Sequence, residues 1–129
     1  MSFHVPRPID GNCFDMTTSS PSELGICQWF HHRDHRAVER TVASLHELGV
    51  KRLRTGISWA DFHRPDGPEW CDFQMDALRE FDVLLSVWHT PPSIAEGAVC
   101  AGPPRRLADY ADFIAQLIDR YGDTFAELE

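Results

Sequence analysis

Apolar positions along the chain fall into short strand-like runs and longer helical stripes that alternate. Leu24-Gly25-Ile26-Cys27-Gln28-Trp29-Phe30 suits a buried strand. Asp34 is placed to cap a helix whose apolar face carries Val38, Thr41, Val42, Leu45 and Leu48, with Gly49 as its stop. The next run, Arg52–Trp59, reads as a strand with Leu53, Thr55 and Ile57 on one face and Arg54, Gly56 and Ser58 on the other. A loop from Ala60 to Cys71, rich in Pro and Gly, leads to a short helix that Asp72 is expected to cap, with Phe73, Ala77, Leu78 and Phe81 as its apolar positions. Val83–Trp88 is a third strand, ended by His89-Thr90-Pro91-Pro92. Pro103 or Pro104 suits the first turn of a last helix, whose stripe is Leu107, Tyr110, Ala111, Ile114, Leu117, Ile118 and Tyr121, stopping at Gly122. Thr124–Glu129 then reads as the opening of a fourth strand. Residues 1–23, with Thr17-Thr18-Ser19-Ser20-Pro21-Ser22, have the composition of an irregular lead-in, so the ordered unit is expected over 24–129.

Strands that begin near residues 24, 52 and 83 and alternate with helices predict right-handed βαβ crossovers and a parallel sheet, hence an α/β fold. Two architectures share that rhythm. An open doubly wound sheet usually has a glycine-rich first βα turn, and Trp29-Phe30-His31-His32-Arg33 contains no glycine. A (β/α)8, or TIM, barrel takes about 250 residues, so three and a half βα units would be its N-terminal half. The half-barrel is the expectation, and its exposed sheet edges and inner face would favour self-association.

The formal charge of −8 disfavours nucleic acid and anionic membranes as partners, because phosphate binding needs a basic surface. No apolar run approaches the ~20 residues of a membrane helix, and Met1–Asp15 lacks the apolar core of an export signal, so a cytoplasmic location is expected. In that compartment Cys13, Cys27, Cys71 and Cys100, widely spaced, are expected to stay reduced.

Arg54 is the sharpest candidate for chemistry. A guanidinium inside a buried strand requires an acceptor, and the neighbouring strands carry no acidic residue, which points to a polar site whose other members lie elsewhere. It would hold a carboxylate ionised and oriented; a structural ion pair or an outward-facing side chain is the plainer reading. His89 either contacts a substrate hydroxyl or simply caps a strand end. Trp29, Trp59 and Trp88 all fall at strand ends, where aromatic faces suit sugar rings, although any one of them fills a core equally well. His31, His32 and His35 lack a His-Glu-x-x-His frame and read as a solvated loop, with no metal or cofactor expected. Asp61, Asp66, Glu69, Asp72 and Asp76 read as a solvated loop and helix start.

The run Arg54-Thr55-Gly56-Ile57-Ser58-Trp59, followed by Pro65-Asp66-Gly67 and Trp70-Cys71-Asp72-Phe73, resembles the second βα unit of the clan A retaining glycoside hydrolases. Trp88-His89-Thr90-Pro91-Pro92 resembles the third strand end of their β-xylosidase-like members, and Tyr121-Gly122-Asp123 with Phe125–Glu129 resembles the approach to strand four. The resemblance implies a barrel that hydrolyses O-glycosidic bonds by double displacement between two carboxyl groups about 5 Å apart. It places the acid/base glutamate in an Asn-Glu-Pro motif after strand four and the nucleophile on strand seven. Neither motif occurs in this chain; Glu127 and Glu129 lack the flanking Asn and Pro. By the same resemblance Arg54 would support the nucleophile, His89 would contact the sugar being cleaved, and Trp59 would wall the cleft or support it from behind. A carbohydrate substrate is therefore expected of the whole enzyme and no turnover from these 129 residues alone. A non-catalytic carbohydrate-binding or assembly module is the first alternative, and an unrelated small α/β enzyme using Arg54 and His89 the second.

Overall fold

The computed structural model describes residues 24–129; the lead-in and Cys13 lie outside the described residues. Four parallel strands, β1 (Gly25–Cys27), β2 (Arg52–Ser58), β3 (Asp82–Trp88) and β4 (Glu127–Leu128), lie side by side in chain order. The connections hold α1 (His35–Leu48), the single turn α2 (Trp59–Phe62), α3 (Gly67–Ala77) and α4 (Leu107–Tyr121). The parallel α/β sheet expected from the rhythm of the chain is present.

Local signals explain most of the boundaries. Asp34 caps α1, its Oδ1 accepting from the Ala37 N–H at 3.0 Å, and Gly49 closes the helix at φ 66, a left-handed geometry that glycine adopts without strain. Ser58 caps α2 through the Asp61 N–H at 3.1 Å. The expected loop from Ala60 to Cys71 is largely helical instead, and α3 starts at Gly67 after Asp66 rather than at Asp72. Pro68 explains the shift: its fixed φ and missing N–H suit a helix's first turn. The last helix starts later than the prolines suggested, at Leu107.

The core lies on one side of the sheet only. Leu53, Ile57, Val83 and Leu85, all essentially inaccessible, pack against Val38 and Leu45 of α1, Cys71 and Met75 of α3, and Phe113 and Leu117 of α4. Burial pushes the Cys71 thiol up to about 12. Within the α4 stripe, Leu107 and Ile118 are exposed, so its seam is narrower than its apolar pattern.

Asp72, inside α3, is a clamp. Its carboxylate accepts from Arg120 Nε at 2.7 Å and NH2 at 2.6 Å, and from the Tyr121 hydroxyl at 2.8 Å, tying α3 to the end of α4. The Arg120 hydrogen bonds, more than any other influence, hold the Asp72 carboxyl below its ordinary value. A depressed folded value means stabilisation that is complete at neutral pH and lost as pH falls through that value. Asp72→Asn should therefore cost roughly 1 kcal/mol at pH 7, as expected of a partly exposed pair with one added hydrogen bond. In urea melts the gap between variant and parent should narrow as pH falls through the depressed Asp72 value, where its carboxyl becomes neutral.

Candidate functional site

The face of the sheet away from the helices carries the polar cluster. Strand alternation and register place Cys27, Arg54 and Leu84 in one row and Gly56 beside Ser86 in the next, with Glu127 paired to Leu84. Glu129 follows β4 two residues after Glu127, and its side chain reaches Arg54 on β2 and Ser86 on β3. The Arg54–Glu129 pair is a fork: Nε donates to Oε2 at 2.9 Å and NH2 donates to Oε1. Ser86 Oγ donates to Oε2 at 3.3 Å. Arg54 NH1 is left with the Cys27 thiol at 3.8 Å. The hydrogen bonds from Arg54 hold the Glu129 carboxyl below the usual carboxylate range, and the same bonds raise the guanidinium further above neutrality.

Above the pair stand two tryptophans. The Arg54 guanidinium lies over the Trp29 ring, 5.3 Å from its centroid, within range for a cation–π contact. Trp29 meets Trp88 edge to face at 4.2 Å and remains 38% exposed, so an aromatic surface is open to solvent beside the ion pair. Gly56 makes this possible. A Cβ there would sit 2.8 Å from Trp29 and 2.9 Å from Trp88, and 2.3 Å from the Ser86 carbonyl oxygen. Below the cluster, a hollow of about 600 Å³ runs along Gly25, Cys27, Arg52, Arg54, Leu84 and Glu127, with no helix residue in its wall.

Trp29, Trp88 and Arg54 thus come together on the open face, whereas Trp59 and His89 line a different hollow that Trp88 also borders. Trp59 opens α2, and its ring, 2% exposed, stacks on Phe113 at 5.2 Å in the helix-side core. It supports the strand end from behind and is not a wall of the open face; its Nε1–H is buried without a partner. His89 takes the left-handed backbone region, φ 56, and its carbonyl accepts from the Ala60 N–H at 2.7 Å. Its exposed side chain borders a hollow of about 490 Å³ between the end of β3 and the start of α4, lined also by Trp59, Trp88, Pro103 and Tyr110.

The missing partner of Arg54 is the main correction: it is Glu129, two strands along the same sheet face. The alternation of Glu127, Leu128 and Glu129 was the available signal, since in a parallel sheet of sequential strands both carboxylates must share the Arg54 face. His32, His35 and Asp66 have partners within the fold. His32 meets Asp66 at 3.3 Å, Arg33 meets the other Asp66 oxygen at 3.3 Å, and His35 packs edge-on to Phe73. Among the described residues, no group of three or more His, Cys, Asp or Glu is arranged to hold a metal ion, and no helix is long and apolar enough to cross a membrane.

The arrangement defines an α/β domain with one helix-covered face and one open face bearing a neutralised cation and an aromatic pair. Searches of protein families, curated proteins and solved structures return no match to this chain.

Proposed function

We propose that this chain is the N-terminal part of a (β/α)8 retaining O-glycoside hydrolase of the β-xylosidase-like kind, acting on carbohydrate. The observation that carries the reading is the open sheet face itself, where the exposed Trp29–Trp88 pair stands over Arg54 at the carboxyl end of a parallel sheet. Ligand sites of barrels sit at that end, and aromatic surface beside hydrogen-bonding groups suits a sugar ring. Strand order supports the barrel over a doubly wound sheet, since helices cover one face alone. The catalytic glutamates belong to the strands that would complete the barrel, and Glu129 serves as the counter-charge of Arg54 rather than as acid or nucleophile. The reading includes self-association of the 129-residue chain through its open sheet.

The test joins two measurements: the intact mass of the protein recovered from its native cells, and turnover of aryl β-xylosides and β-glucosides by that species and by the 129-residue chain. A native species well above 14.7 kDa should hydrolyse with retention of configuration, while the short chain releases no product. Turnover by the short chain, abolished by Arg54→Ala, would sink the reading in favour of a small α/β enzyme. A native 14.7 kDa species that binds sugars without cleaving them would instead make it a carbohydrate-binding module.

A further inference from the structure

Gln74, on α3, is 2% exposed, a degree of burial that amide side chains seldom reach. Its Nε2 donates at 3.1 Å to the carbonyl of Gly56, the residue over which the two tryptophans meet. Backbone pairing explains why that carbonyl needs a side chain. In a parallel ladder, alternate residues of a strand turn their N–H and C=O groups to opposite neighbours. The Arg54 carbonyl accepts from the Gln28 N–H of the chain leaving β1, at 2.9 Å, so the Gly56 carbonyl, two residues on, points to the same side. The β1–β2 register ends at Cys27 and Arg54, and the Phe30 N–H, which a longer β1 would bring to Gly56, makes no such bond. Phe30 is instead buried in the helix-side core as the chain turns toward α1. A buried carbonyl without a donor is unfavourable, and Gln74 supplies the donor that the strand withdraws.

From this we infer that Gln74 is the positioning residue of the aromatic pair. With the Gly56 carbonyl already satisfied, β1 can stop short, and Trp29, free of the ladder, lays its ring across Gly56 against Trp88, the centroids 4.2 Å apart. Without that donor, the carbonyl is satisfied most directly by one more step of pairing, from the Phe30 N–H. That step sets Trp29 opposite Gly56 in the register with its side chain upright from the sheet, and so draws its ring off Trp88. Gln74 thereby governs the open face from the helix side of the sheet. Its value to the protein rests on the proposed sugar surface; its effect on the rings does not, so failure of the glycosidase reading and failure of this role show separately.

Circular dichroism of the coupled indoles tests the role. The part of the near-ultraviolet signal that Trp88→Phe removes defines the contribution of the pair. Gln74→Met keeps the length of the side chain and deletes the donor; it should fold with a lowered urea midpoint and lose most of that contribution. Met75→Ala, which empties a fully buried position on the next residue of the same helix, should lower the midpoint as well but keep the contribution. That difference separates positioning from plain stabilisation. Gln74→Asn, too short to reach the carbonyl, should repeat the loss. The full contribution in a folded Gln74→Met or Gln74→Asn would overturn the inference, as would an equal loss in Met75→Ala or the failure of both Gln74 variants to fold.

Discussion

Gly56→Ala should destabilise the fold by about 3 kcal/mol, the upper end of what overpacking usually costs. The new methyl carbon would lie 2.3 Å from the Ser86 carbonyl oxygen, a backbone atom held by the β2–β3 ladder that has little freedom to retreat. It would also press on both tryptophan rings at under 3 Å, so the Trp29–Trp88 pair must separate even where the strands spread to accept the methyl. Two readouts follow. The urea midpoint should drop with an unchanged slope, and the near-ultraviolet circular dichroism of the coupled indoles should fall in the folded baseline. Because the same pair carries the proposed sugar surface, any sugar affinity of the parent should vanish in the variant together with that signal. A midpoint within experimental error of the parent would mean that the two strands do not approach as closely as described.

Trp59→Ala should be comparably severe, about 3–5 kcal/mol, since it empties a buried site between Phe113 and Tyr110. The informative comparison is Trp59→Phe. Phenylalanine keeps a ring for stacking and removes an indole N–H that is buried without an acceptor. An unpaired buried donor costs about 1–3 kcal/mol, so its removal offsets most of the volume lost, and Trp59→Phe should stay within about 1 kcal/mol of the parent. Chemical denaturation of the three proteins checks both numbers. Equal losses for the Ala and Phe variants would show that the N–H has a partner after all. Trp29→Ala, on the open face, should by contrast cost only about 1–2 kcal/mol, from the lost contacts with Trp88 and Arg54, and should remove ligand affinity.

Much of the fold was legible because its signals are local. Asp34 and Gly49 bracket α1 as their side-chain chemistry requires, and the alternation of Arg52–Ser58 assigns Leu53 and Ile57 to the core. The third helix was misplaced because Asp72 has the composition of a cap while serving a distant partner. Its carboxylate answers Arg120 and Tyr121, 48 and 49 residues later, and no window of sequence displays that demand. Part of the candidate site was legible in the same way: Arg54, Trp29 and Trp88 were singled out by residue type and strand position, and they meet. Trp59 was indistinguishable from them by those criteria. One residue beyond β2 the chain turns into α2, and that turn sends its ring to the opposite side of the sheet.

By itself, then, the sequence determined the strands and the first and last helices in outline, that the strands run parallel, and that a cation stands on the face opposite the core. These follow from periodicity, capping chemistry and crossover handedness, all of which act within a few tens of residues. Tertiary structure alone decided what meets the cation. Glu129 reaches Arg54 across 75 residues of chain because β3 and β4 align in one register, and Gly56 leaves room for two rings contributed by separate strands. Contacts of that span depend on how strands pair and how closely they approach, and no single segment of the chain encodes either quantity.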